Sequence, residues 1–235
     1  METINEVLSA IKKLSTPEGI KKKAYFGISE VGNFGLTSPQ IKAIARDIGK
    51  NHELALKLWQ TSVHEARHIA VLIADKKMVT EKLMNKWVKD FNSWDIVDDC
   101  CGKLFCKTPF AYEKAVEWSE RKSEFEKRAG FALMATLAVH DKNAKDIEFE
   151  NFFPFLLRES HDERNFVRKA INWAIRQIGK RNQRLCKKAI KLSVDILKKD
   201  DKSSRWIASD TLRELKIYLS QGKIKDVGTK NHGAD

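Results

Sequence analysis

Apolar residues recur at intervals of three and four along almost the whole chain. Ile4, Val7, Leu8 and Ile11 mark a first amphipathic helix, and Ile41, Ile44, Ala45 and Ile48 mark another after Pro39. No stretch alternates with the two-residue period of a half-buried strand. Pro17, Pro39 and Pro109 each follow a Ser or Thr, the pattern of a cap with proline at the first helical position, so each predicts a helix start. The glycine-rich stretch from Gly27 through Gly32 to Gly35 has no strand before it and lacks G-x-G-x-x-G spacing. It reads as a linker between the second and third helices rather than a phosphate-cradling loop.

Beyond residue 50 the helices come in pairs, and one member of each pair opens with a basic residue followed by small and apolar ones. The phrase recurs at Glu65-Ala-Arg67, at Glu126-Lys-Arg128-Ala, at Val167-Arg-Lys169-Ala and at Ser204-Arg205-Trp206. The later spacings fall near the repeat length of HEAT-type helical pairs. The expected fold is therefore all-α: an α-solenoid of HEAT-like (armadillo-type) repeats, whose recurring basic positions line a concave basic groove. One repeat domain is expected over 1–220, with the last helix ending near Ser220. The tail 221–235, without apolar period, is expected to be flexible and is given no function.

Charge sharpens this picture. The 44 Lys and Arg against 32 Asp and Glu leave a formal net charge of +12, which points to a polyanionic partner. Nucleic acid is the leading class and an anionic membrane surface the second. Cys100, Cys101, Cys106 and Cys186 form neither a C-x-x-C pair nor an even ladder, so they read as reduced thiols rather than a disulfide framework or zinc ribbon. The N-terminal residues lack a basic and apolar leader, and no apolar run reaches membrane-spanning length, so a soluble, cytoplasmic and nucleoid-associated protein is expected.

The candidate chemistry centres on Phe91-Asn-Ser93-Trp94-Asp95-Ile-Val-Asp98-Asp99. With Ser93 as N-cap, Trp94 and Asp98 project from one helix face. An indole beside a carboxylate suggests an open surface or a site, while the plainer reading is a helix start with a core Trp and acids near the positive terminus. His64-Glu65-Ala-Arg67-His68 matches H-E-x-x-H, which can place two imidazoles on one zinc ion. Ala66, Ile69, Ala70 and Ile73 form the apolar side of that helix, which leaves His64 and His68 on a polar side, where they read as solvated. No third ligand stands in a zincin arrangement; Glu81 and His140 are unsupported, so no metal is assigned.

Lys12-Lys13, Lys21 to Lys23, Lys187-Lys188 and Lys198-Lys199 each suit a wet helix face; with Arg67, Arg128, Lys169, Arg176 and Arg205 they add up to a surface that can neutralise duplex phosphates. Arg128 suits either such a contact or a salt bridge between repeats. Trp173, four residues after Lys169 and three before Arg176, suits either a sugar–phosphate surface or the core. Trp59, Trp87, Trp118 and Trp206 read as packing. Tyr25 and Phe26 either stack on a nucleobase or close the first helical layer.

With Trp94-Asp-Ile-Val-Asp98, Phe125-Glu-Lys-Arg128 and the segment from Phe166 to Arg176 in view, the chain resembles the AlkD-like DNA alkylation repair glycosylases from about Tyr25 to Arg205. That resemblance implies a HEAT-like array gripping duplex DNA that contains alkylated bases, and excision of cationic N3- and N7-alkylated purines. It implies a site of Trp94, Asp98, Arg128 and Trp173, with Arg176 on the DNA backbone, no cofactor and a monomer. It also implies an aromatic contact at Tyr25 or Phe26, and Ser93 departs from relatives that carry another aromatic there. A cationic purine is already a good leaving group, so the remaining task is to stabilise an oxocarbenium-like sugar and to position water, which an Asp can do. Because some HEAT-like relatives bind DNA without glycosylase activity, the alternative is a non-catalytic module that binds DNA structures or a protein partner.

Overall fold

The structure, a computed structural model, describes residues 1–222, and among them every regular element is helical. The helices are α1 (Ile4–Lys13), α2 (Pro17–Tyr25), α3 (Ser38–Ile48), α4 (His52–Gln60), α5 (His64–Ile73), α6 (Glu81–Lys89), α7 (Trp94–Asp99), α8 (Ala111–Ser119), α9 (Glu124–His140), α10 (Asp146–Glu150), α11 (Phe153–Glu159), α12 (Asn165–Gly179), α13 (Gln183–Leu197) and α14 (Lys202–Ser220). Among the described residues no helix is long and apolar enough to cross a membrane. Apart from Gln221 and Gly222, the expected tail lies outside the described residues.

Two of the three proline-based helix starts match. Thr16 caps α2 with Pro17 at its start, its hydroxyl accepting from the Gly19 N–H at 3.1 Å. In α3 the cap is Thr37 rather than Ser38, and Gln40 completes a reciprocal capping box. Pro109 does not start a helix. It sits in a turn, and α8 begins two residues later; the Thr108 hydroxyl donates to the Phe105 carbonyl at 2.8 Å.

The chain forms two compact units, Met1–Ala129 and the part from Gly130 onward. In the first, Trp59 and Trp87 stack with centroids 3.9 Å apart, and Phe91, Phe105 and Trp118 extend this aromatic core. The indoles of Trp59 and Trp118 are satisfied at their rims by Asp90 (2.8 Å) and Asn85 (3.3 Å). In the second unit, α12 packs on α13 and α14, and its Val167, Ala170, Ile171, Ala174, Ile175 and Ile178 are all fully buried. Asn172 joins the α12–α14 seam by donating to Thr211 at 3.2 Å. Trp206, expected in the core, is 37% exposed, with the Arg168 guanidinium over its ring at 5.1 Å.

The glycine-rich linker is a working part of the first unit. Gly35 has φ +76°, and a Cβ there would lie 2.4 Å from the Ile20 amide nitrogen, so only glycine fits against α2. Its neighbours Phe34 and Leu36 donate their N–H groups to Glu65 of α5 at 3.0 and 3.2 Å. The Glu65 side chain is fully buried, and the Lys23 ammonium completes its shell at 2.7 Å. Truncation would leave one cation and two amides without their acceptor. We therefore expect Glu65→Ala to destabilise the chain by about 3–5 kcal/mol, the cost typical of breaking a buried ion pair. Urea unfolding monitored by circular dichroism measures this; a loss below about 1 kcal/mol would contradict it.

Candidate functional site

The central stretch forms the helix expected of it. Ser93 occupies the N-cap position of α7 with an extended backbone, but its hydroxyl donates to Asp95 Oδ1 at 2.7 Å instead of capping the helix end. Asp95 Oδ1 also accepts the Ile96 N–H at 3.0 Å, which fixes the carboxylate so that Oδ2 points away. Ile96, Val97, Cys100 and Cys101 turn inward and are fully buried, leaving Trp94, Asp95, Asp98 and Asp99 half-buried on the outer side. The helix continues through a π turn over Cys100–Leu104, a deviation frequent at functional sites.

Trp94 is held in place by its indole N–H, which donates to the Phe26 carbonyl at 2.9 Å. Phe26 and Trp94 both line a cavity of about 490 Å³, together with Lys22, Lys42 and Lys103. Tyr25 and Phe26 are 85% and 54% exposed and meet edge to face at 5.2 Å, so they form an open aromatic pair rather than a closed layer.

Asp98 meets Arg128, the fifth residue of α9. Arg128 Nη2 donates to both carboxylate oxygens at 2.9 Å, and its Nε lies 3.2 Å from Oδ1. The bridge between repeats is therefore present, built by a buried guanidinium and a carboxylate side chain still 26% exposed. Burial raises the Asp98 carboxyl above the ordinary aspartate value; Arg128 pulls it down, and Asp95 and Asp99 add to the rise.

The reading of His64 and His68 as solvated is overturned. Both are buried, because α5 is covered on every side and offers no polar face to water. His64 Nε2 lies 2.9 Å from Asp95 Oδ2, and His68 Nδ1 lies 2.6 Å from Asp99 Oδ2. Burial works to raise the Asp95 carboxyl, but its bonds to His64 and His68 outweigh this and hold it far below the usual range. Burial likewise disfavours the charged form of His68, and the two carboxylates reverse that.

The basic residues divide. Lys169 on α12 is exposed, and Trp173 is half-buried one turn further along. Arg176 pairs with Glu214, which Lys180 also engages. Arg205 is exposed and pairs locally with Asp200. Arg67 departs from the expected set: it is buried over the Trp59 ring and donates to the Asp90 carbonyl at 2.9 Å, so it ties repeats together and offers nothing to a phosphate. Asp98 and Arg128 are thus paired in the first unit, with Trp94 one turn before Asp98 on α7, while Lys169, Trp173 and Arg176 share α12 in the second. The partnership of His64 and His68 with Asp95 and Asp99 escaped the sequence reading; a constant separation of 31 residues was its only trace.

The family model described as DNA alkylation repair enzyme matches residues 7–215. The chain belongs to that family. A solved structure described as a new family of proteins related to the HEAT-like repeat DNA glycosylases, with affinity for branched DNA structures, superimposes with a TM-score of 0.76. It shares 21% identity, and the match covers 96% of this chain and 97% of that one. At that identity the likeness establishes the fold. Among curated proteins none matches the chain.

For this family member the Asp98–Arg128 pair carries a prediction of its own. Asp98→Asn, Arg128→Met and the double variant, compared by urea unfolding, should give a coupling energy of about 1–3 kcal/mol, given that the acid is only partly desolvated. A coupling near zero would mean that the pair contributes nothing beyond its separate side chains.

Proposed function

We propose that the chain is a DNA glycosylase that hydrolyses the N-glycosidic bond of cationic N3- and N7-alkylated purines in duplex DNA. The observation that carries this reading is the grouping of Trp94, Asp98 and Arg128 in a member of the DNA alkylation repair enzyme family. The leaving base already carries positive charge, so no general acid is needed. Asp98 stabilises the oxocarbenium-like sugar and orients the attacking water, with Trp94 as an electron-rich wall beside it. Trp173, in the second unit, is the fourth residue that the resemblance assigns, and Lys169, Arg176, Arg205 and the Tyr25–Phe26 pair are the proposed DNA contacts.

Magnitudes support a carboxylate in this role even when it is paired. At an effective dielectric near 20, a carboxylate about 4 Å from the developing charge contributes roughly 4 kcal/mol. A guanidinium about 8 Å away opposes it by roughly 2 kcal/mol, so the pair still contributes on the order of thirtyfold in rate. Arg128 meanwhile fixes the carboxylate in one orientation through contacts to both oxygens.

The second reading is a module that binds DNA structures without excising a base. The structural neighbour's affinity for branched DNA favours it, as does the tie that Arg128 places on Asp98. Both readings require binding that falls steeply with salt, since the net charge of +12 must act through phosphate neutralisation.

Release of methylated purines from DNA treated with a methylating agent tests the proposal. The wild type should release base, and Asp98→Asn should be slower by about a thousandfold, the rate equivalent of the carboxylate's own 4 kcal/mol. Duplex or branched-DNA binding with no release by either protein would establish the second reading instead. The acid limb of the wild-type profile should lie above the ordinary aspartate range, because Asp98 must be ionised and its carboxyl is raised; activity is lost as pH falls through that raised pKa. Substituting Trp173 by Ala and measuring the same release tests that residue separately.

A further inference from the structure

Three atoms able to ligate a metal ion converge beside the cavity: His64 Nε2, His68 Nε2 and Asp95 Oδ2. Their separations are 2.9 Å (His64 to Asp95), 3.2 Å (His68 to Asp95) and 3.2 Å (His64 to His68). In a tetrahedron with metal–ligand bonds of about 2.0–2.1 Å the edges measure about 3.3–3.4 Å. The triangle is thus close to the size that a zinc-type ion imposes on three ligands.

What surrounds these atoms favours a cation at their centre. His68 Nδ1 lies 2.6 Å from Asp99 Oδ2, so in the neutral ring the Nδ1 proton is directed to that carboxylate and Nε2 presents its lone pair to the cluster. A carboxylate on the distal nitrogen is the arrangement that orients metal-bound histidines. Asp95 is fixed in the same manner, its Oδ1 occupied by the Ser93 hydroxyl and the Ile96 N–H, which leaves Oδ2 for the cluster. Protons offer the alternative: an Nε2–H of His64 shared between Asp95 Oδ2 and His68 Nε2, or an added proton on His68.

We propose that His64, His68 and Asp95 form a binding site for a first-row divalent cation of the zinc class, with Asp99 positioning His68. Asp95 and His68 also line the cavity, so a fourth ligand position faces space large enough for water or an anionic group. His64 and His68 are the two histidines of H-E-x-x-H, and the third ligand comes from α7, 31 residues after His64. The motif's glutamate is absent from the cluster. Glu65 is spent on Lys23 and the backbone amides of Phe34 and Leu36, so the site lacks the general base of a zincin and is not proposed as a peptidase. This inference is independent of the glycosylase reading, whose acid is Asp98.

The test uses the full chain free of any affinity tag and stripped with a chelator. Titration with Co²⁺ should yield one bound ion per chain, with visible d–d absorption from nitrogen and oxygen ligation, and Zn²⁺ should displace it. His64→Gln and Asp95→Asn should abolish both signals, with circular dichroism confirming that each variant folds. Asp99→Asn should bind about 10- to 100-fold more weakly, as loss of an outer carboxylate does in comparable sites. Metal uptake equal in the wild type and the His64→Gln/His68→Gln double variant would overturn the proposal, as would no uptake by the wild type. In either case the imidazole cluster is held by protons alone.

Discussion

A helix with no side left for water must find a partner for every polar residue it carries, and α5 is such a helix. His64, Glu65, Arg67 and His68 are all buried on it. An unpaired charge or polar group in such a place costs several kcal/mol, so each of these side chains dictates what is brought to it. Glu65 draws in the linker and α2, Arg67 draws in the end of α6 through the Asp90 carbonyl, and the two histidines draw in the acids of α7. The first unit is organised around satisfying α5.

That requirement explains how so acidic a helix as α7 can be packed at all. Asp95, Asp98 and Asp99 lie within little more than one turn, where like charges repel. Each receives a cationic or proton-bearing partner from outside α7: Asp95 and Asp99 from His64 and His68 of α5 on one side, Asp98 from Arg128 of α9 on the other, with Lys103 adding to Asp99 at 2.6 Å. The division leaves Asp98 as the acid set apart from the histidines, oriented by a guanidinium that touches both of its oxygens. The same logic recurs in the second unit, where Glu214 receives Arg176 and Lys180, and Glu150 receives Arg184 and Lys188.

Helix positions are legible because apolar spacing and capping chemistry are local signals; Thr16 with Pro17, and the three- and four-residue spacing through Ile41, Ile44 and Ala45, suffice to place α2 and α3. Arg128 as a bridge between repeats was one of two readings the residues left open, and the structure realises it with Asp98. The histidines were misread because a helical wheel divides residues into one apolar and one polar side and takes the polar side as wet. That premise fails for an inner repeat helix, whose polar side faces another helix. Pro109 failed for a different reason: a Thr–Pro pair marks a turn as readily as a helix start.

The two acids of greatest chemical interest belong to one short helix yet answer to different partners, which makes their roles separable. Asp95 is fixed by Ser93, Ile96 and the histidines, whereas Asp98 is fixed by Arg128 alone among the contacts described here. Replacing His64 therefore removes a neighbour of Asp95 without touching a hydrogen bond of Asp98. Replacing Arg128 does the reverse. Coupling between the clusters passes only through the backbone of α7 and through Coulomb interaction across a single turn, which at an effective dielectric near 20 amounts to about 2 kcal/mol per charge at roughly 8 Å. An ion at Asp95 would thus reach Asp98 as a modest change in field, and the orientation of the Asp98 carboxylate would remain the work of Arg128.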